Sequence, residues 1–409
     1  MTEPGFGSRL RDHPDAFRLA VANIIDGLGT YVGLAALLVV GYHSTRLLGT
    51  AMVLAAHVLP GLLVTLFVAP RLQHRQRRTV LLVLNLVGVL ALLPAIAAPG
   101  AETAILAAAL LGASGVATRG VQMAALAEAV PAEVRGRFYG MVGSFTQAVQ
   151  VIGLASGGAI AAALSARTAL AIDALSFTVA GLVIATIHFA RVSPVRTAPA
   201  PRSFFGSAPH VVWSIPLLRM LAFVTCIGAL VASVPEAASP AVTSTKLLPL
   251  VMAASPAGGA VAALICTRLG VFGRVRDTLR LALVSSVSLV VLGAGMYVAF
   301  QQPADSVVRA LYGIAANALI GGLGVWFLGM IAAFTEYTPA SEMVAVGSFM
   351  SWSVGAASGL GGFAVALLGV AGGYAALGLM LLPAAAWGLR MVLSLDLSSS
   401  PGTVDPHAA

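Results

Sequence analysis

Two charged residues, Asp26 and Arg119, fall deep inside apolar runs. An ionisable side chain in hydrocarbon is costly, so each needs a partner and each marks a path for an ion or a substrate. At ~1.5 Å rise per residue, Asp26 lies ~13 Å from the start of its run and Arg119 ~12 Å from the end of its own, which gives them a common depth. A guanidinium facing a carboxylate there can do one of two things. It can dock two helices as a buried pair, or it can open and close so that the carboxylate takes up and releases a proton. Gln122 stands one turn from Arg119, and Gln147 and Gln150 lie three apart on a neighbouring run at a similar depth. Together they add neutral hydrogen-bonding capacity, a polar floor for a small molecule. His57, three residues before the helix-kinking Pro60, can join a proton path or serve as a packing residue. Asn317, Trp326 and Trp352 are expected to pack, and so few polar groups suggest a fairly apolar substrate.

Other chemistry lacks its signatures. No His-Glu-x-x-His helix, no Gly-x-Gly-Asp pair and no Walker lysine motif occurs, so the chain is read as a non-enzyme with no metal and no cofactor. Its energy then comes from a proton or sodium gradient. Gly112-Ala113-Ser114-Gly115 resembles the Gly-x-Ser-Gly of rhomboid intramembrane proteases. However, Ser114 is ~20 Å from the end of its run and His188 within ~3 Å of the end of its own, too far apart in depth to share a hydrogen bond.

The elements that hold these residues must be membrane-spanning helices. Of 409 residues, 59% are hydrophobic and only 9% charged, and the apolar stretches are continuous rather than alternating. A lipid bilayer is therefore the partner of most of the surface. The formal charge of +8 is strung between apolar runs rather than gathered into a patch, which excludes a nucleic-acid partner. Cys226 and Cys266 fall inside spans, as small apolar residues do. The stretch from Met1 to Phe17 lacks a short apolar core and is read as a retained cytoplasmic end rather than a signal peptide.

Runs between charged, Pro and Gly clusters give an all-α membrane protein of twelve spans. Six fall at 17–40, 49–68, 80–98, 104–127, 138–164 and 168–190. Six more fall at 217–234, 248–269, 281–300, 307–334, 344–370 and 374–393. The domain reading is a six-helix bundle at 1–190, a cytoplasmic linker at 191–216, a second six-helix bundle at 217–393 and a cytoplasmic tail at 394–409. With both termini in the cytoplasm of a cell inner membrane, Arg46, Arg167, Lys246 and Arg309 are left outside, and nearly all other Lys and Arg lie inside.

The halves repeat. Ala124-Ala125-x-x-Glu128-x-x-Pro131-Ala132 recurs as Ala332-Ala333-x-x-Glu336-x-x-Pro339-Ala340, and Gly157-Gly158 is matched by Gly361-Gly362. Two related six-helix halves are a common transporter plan, with a substrate site near the midplane. At these residues the chain resembles the major facilitator superfamily, and within it the enterobactin exporter and macrolide efflux branch. Gly140, Val149, Gly153, Leu154, Gly157 and Gly158 fall on the superfamily's span 5 antiporter motif, with Val149 and Leu154 replacing a Gly and the Pro. The resemblance implies export, with these glycines in a close seam that gates a rocking motion. Ala69, Gln73, His74, Arg77 and Arg78 fall on the loop motif between spans 2 and 3, of which only the two arginines survive. They are read as gating or lipid-anchoring residues. Asp173-Ala174-Leu175-Ser176-Phe177 looks typical of the branch, and Asp173 is expected to be structural, near the outer interface.

The expectation is thus a monomeric secondary active transporter, a proton-coupled exporter of a small organic molecule such as a drug, siderophore or secondary metabolite. The alternatives are an importer or a non-transporting receptor of the same fold. For topology, Ser203→Cys should be labelled by an impermeant thiol reagent only from the cytoplasmic side, in inverted vesicles and not in intact cells.

Overall fold

The computed structural model describes residues 14–68, 75–129, 132–188, 207–243, 246–269, 275–338 and 343–394; of these, the side chains of 16, 65–66, 123–129, 132–147, 207–208, 267–269, 328, 331–333, 335–336, 343–345, 347–348 and 351 are left aside. The described residues are almost entirely helical, with no strand among them. That is what hydrocarbon demands, because a helix satisfies its own backbone donors and acceptors where no water can.

In chain order the helices are α1 (Pro14–Leu63), continued by a π-helical turn at Val64–Val68, then α2 (Arg77–Ala97), α3 (Ala101–Ala129), α4 (Ala132–Ala163) and α5 (Ala166–Ala185). There follow α6 (Ser207–Ser214), α7 (Pro216–Ala232), α8 (Val234–Val242), α9 (Leu248–Leu269), α10 (Val275–Ala299), α11 (Val307–Leu323), α12 (Trp326–Tyr337) and α13 (Met343–Ser394). Among the described residues, 8 helical stretches are long and apolar enough to cross a membrane. Two of them far exceed one bilayer crossing. The 50-residue α1 breaks at Thr45 and Arg46, where Arg46 has φ 57° and its guanidinium stands 5.6 Å over the Tyr42 ring. The 52-residue α13 breaks at Gly369, whose φ of 73° costs a residue without a β-carbon little. Each therefore has two limbs. Leu367 at 82% exposure and Leu164 at 70% show the outward apolar faces that only lipid can cover.

Two boundaries differ from the sequence reading. The span expected to stop at 234 runs on through α8, because Pro235 sits in the first turn of a new helix, where no backbone donor is needed. The span expected to run unbroken over 307–334 is instead divided at Gly324 and Val325.

The chain forms two compact units, one of Met1–Arg196 with Thr245–Ala253 and the other of Thr197–Ser244 with Ala254–Ala409. In the first, the α1 first limb lies between α4 and α5, and its second limb crosses α3 so closely that a β-carbon on Gly112 would overlap the His57 carbonyl. In the second, α7 packs on the α13 first limb, where a β-carbon on Gly361 would meet Leu230 O and Ser233 Oγ, while α9 meets α11 where Gly321 abuts Ser255 O. Helices in lipid gain little from apolar burial against one another, so glycine-mediated close approach holds such bundles together.

Arg309 secures one end of the second unit. It is 8% exposed, donates to Ala241 O at 2.6 Å and Gln302 O at 3.2 Å, and lies 3.8 Å from the Phe300 ring centroid. Arg309→Ala leaves these carbonyls short of a charged donor and should lower stability by about 2 kcal/mol. Thermal unfolding in detergent checks this, and Arg309→Lys should recover only part of the loss.

Candidate functional site

The first limb of α1 carries Asp26 and is the only helix limb among the described residues to touch both α4 and α5 through glycines. Toward α4, a β-carbon on Gly27 would lie 3.3 Å from Val149 Cγ1, one on Gly153 3.1 Å from Leu28 O, and one on Gly157 2.7 Å from both Val32 Cα and its carbonyl oxygen. Toward α5, a β-carbon on Gly29 would lie 2.9 Å from Asp173 Oδ1, and one on Gly33 2.7 Å from Asp173 Cγ. Small residues thus line α1 on two faces, and Asp26 is fixed in depth by backbone contact on both.

Of the polar residues read from sequence, three in the first unit have a buried atom without a hydrogen-bond partner. Asp26 is half-buried, and its Oδ1 has no hydrogen-bond partner. His57 Nδ1 is likewise buried without a partner, although the imidazole interacts with the Ala108 backbone. Gln122 is 4% exposed, with Nε2 unsatisfied. Arg119 is exposed, and its charge acts on both Asp26 and His57. Among the described residues no ion pair joins Arg119 to Asp26, so the docking contact is open in this conformation. Gln150 is half-buried. Gln147 and Gly140 lie on α4 outside the described side chains.

The remaining residues divide. Gly153 and Gly157 seat α4 on α1 inside one unit, whereas Gly158 faces Pro249 Cα and Met252 Sδ, each 3.1 Å from an added β-carbon. Pro249 and Met252 belong to the segment that joins the first unit from beyond residue 244. Of the described motif glycines, Gly158 alone meets that segment. Arg77 is buried at 7% exposure. Arg78 donates to Ala185 O, and Arg18 donates to Thr186 O at 3.3 Å, so two guanidinium groups satisfy the end of α5 where its dipole is negative. Arg78 thereby acts as a helix cap. Ser114 donates to Leu111 O in its own helix at 3.1 Å, and His188 is exposed, so these two share no bond.

Sequence reading underrated one group. Asp173, expected near an interface, has 0% exposure and an Oδ2 without a partner. The signal available was the pair Gly29 and Gly33, one and two turns beyond Asp26, which clears a flat face for a side chain from another helix.

The second unit is polar in a different way. Tyr374 OH donates to Asn317 Oδ1 at 2.7 Å, and Asn317 Nδ2 donates to Ser239 Oγ at 3.2 Å, all three nearly or fully inaccessible. That network is neutral and joined.

The family model described as Major Facilitator Superfamily matches residues 19–319. The chain belongs to that superfamily. Two solved structures similar to this facilitator chain are a nucleoside transporter, NupG, and a POT family transporter, PepTSo. NupG has 10% identity, with 94% of this chain and 99% of that chain covered and a TM-score of 0.69. PepTSo has 10% identity, with coverages of 95% and 99% and a TM-score of 0.70. At such identities the likeness carries the fold alone. No curated protein sequence matches. The chain is a multi-pass membrane transporter of the facilitator type, which works on small molecules rather than as an enzyme.

The glycine seams make a contrast measurable. Gly157→Ala brings a β-carbon against α1 backbone and should cost about 1–3 kcal/mol through overpacking. Gly158→Ala meets the Pro249 backbone and the flexible Met252 thioether at 3.1 Å, a milder approach than at Gly157, and should cost less than Gly157→Ala, about 1 kcal/mol or below. Thermal unfolding of both in the same detergent decides this.

Proposed function

We propose that this facilitator is a proton-coupled exporter of a small, fairly apolar organic molecule and that it works by alternating access. The observation that carries the reading is the state of Asp26. Its carboxylate has an unsatisfied oxygen inside the first unit, within electrostatic reach of Arg119 yet not paired with it. A carboxylate beside a cation that can approach or leave has two protonation states tied to two conformations, which is what coupling a gradient to transport requires.

The direction rests on the span 5 glycines Gly140, Gly153, Gly157 and Gly158, which match a motif carried by exporters. This supports placing the chain with the enterobactin exporter and macrolide efflux branch. His57, Gln122, Gln147 and Gln150 are proposed to hold substrate or relay protons, with Arg77 and Arg78 acting at the gate. Twelve spans follow if each broken helix, α1 and α13, counts twice and the shorter apolar stretches Ala148–Ala163 and Val307–Leu323 are included. The proposed setting is a monomer in the inner membrane with both termini cytoplasmic, its halves being 1–190 and 217–393.

Susceptibility and metabolite-secretion profiling of a deletion strain identifies the exported compound, which is then used in proteoliposomes. Asp26→Asn should abolish gradient-driven accumulation of that compound while downhill counterflow continues. Undiminished pH-dependent uphill transport by Asp26→Asn overturns the coupling role, and import-only activity of the parent overturns the direction.

A further inference from the structure

Asp173 is the most deeply enclosed acidic side chain among the described residues, at 0% exposure. Its carboxyl is pressed flat on the α1 first limb, since a β-carbon on Gly33 would overlap Oδ2 and one on Gly29 would lie 2.9 Å from Oδ1. The polar surroundings are sparse. Ser176 Oγ donates to the Asp173 carbonyl at 2.8 Å and stands 3.5 Å from Oδ1, at the limit of a second bond. Oδ2 has no partner.

Among the described side chains, no cation is recorded against this group. From α1 the titratable group is Asp26, whose charge acts on Asp173. From α2, Asn85 faces α5 opposite Gly181 and is neutral, while Arg78 reaches α5 only at its end, on Ala185. From α4, the described side chains at 148–163 include no ionisable residue. A metal ion or hydrated sodium needs several oxygen ligands around it. The glycine face against the carboxyl leaves no such room. A proton occupies no volume and removes the burden of an uncompensated buried charge.

We propose that Asp173 and Asp26 form a proton-sharing carboxyl pair within the first unit, with Asp173 the enclosed member and Asp26 the member that exchanges with the gradient. Gly29 is one turn beyond Asp26, ~4.5 Å along the axis, so the α5 carboxyl rests on α1 about one turn from the α1 carboxyl. In each transfer the O–H bond on Asp173 breaks and one forms on an Asp26 carboxylate oxygen; the reverse step returns the proton. Nothing else is consumed. Approach of Arg119 to Asp26 favours the proton on Asp173, and its departure lets Asp26 hold one as well. The glycines at 29 and 33 are there to let Asp173 reach this position. The pair rests on the proton-coupled reading and adds a second acid to it.

Infrared difference spectra between acidic and alkaline pH, taken on the full chain in phosphatidylethanolamine–phosphatidylglycerol vesicles, test the pair without any substrate. The parent should show two protonated carboxyl bands from low-polarity surroundings. Asp173→Asn should lose one and displace the other, and Asp26→Asn should displace the Asp173 band. An Asp173→Asn spectrum identical to the parent's overturns the proposal. If Asp173→Asn gives no folded protein, the Asp26→Asn spectrum decides alone, and an unmoved Asp173 band overturns it. Loss of uphill transport in Asp26→Asn together with a parent-like Asp173→Asn spectrum sinks the pair and leaves proton coupling standing. Both bands behaving as expected while Asp26→Asn still transports uphill sinks proton coupling and leaves the pair.

Discussion

Close backbone approach around the first limb of α1 is the constraint on which the first unit depends. In lipid, apolar side chains gain little by touching one another, so helices associate where they can come near enough for dispersion and polar contacts to count. Gly153 and Gly157 bring α4 onto this limb from one side, and Gly29 and Gly33 admit Asp173 of α5 from another. A limb held on two faces cannot rotate without separating both neighbours. The depth and direction of Asp26 are therefore set by groups that carry no charge themselves.

The two units solve the problem of polar groups in hydrocarbon differently. In the second, Ser239, Asn317 and Tyr374 satisfy one another across three helices, and a fully joined neutral network fixes a single arrangement. In the first, Asp26, His57, Gln122 and Asp173 each leave an atom without a partner. Unsatisfied atoms of this kind cost stability in any one conformation, and a protein that cycles between conformations can satisfy them in turn. The ionisable groups among these unsatisfied atoms, Asp26, His57 and Asp173, lie in the first unit, while in the second Trp326 Nε1 is also buried without a partner; Gly157 and Gly361 each seat a close helix pair in their own unit.

Much of this was legible in the residues, and the failures have a common cause. Continuous apolar runs locate the helices because length and hydropathy alone decide what can cross a bilayer. The breaks at Arg46 and Gly369 fall where short polar or glycine clusters interrupt those runs. The continuation of α7 into α8 lies beyond the 217–234 run because Pro235 interrupts the apolar stretch, although at a first helical turn proline is a starter. Which face of a helix meets protein could not be read, since lipid and core are both apolar and hydropathy has no period. For that reason Asp26, His57 and Gln122 stood out as polar residues in apolar runs, while the enclosure of Asp173 did not. Its depth depends on α1 glycines far away in the chain.

The arginine caps at the end of α5 have a mechanical meaning. Arg18 near the start of α1 and Arg78 at the start of α2 both hold carbonyls at Ala185 and Thr186, which pins three helix ends at one level. Helices so pinned cannot slide past one another to match a thinner or thicker bilayer. Mismatch in thickness must then be met by tilting the first unit as a body or by deforming the lipid around it. Membrane thickness becomes a load on the unit's tilt, and lipid composition a variable that acts on the protein without touching any of its polar interior.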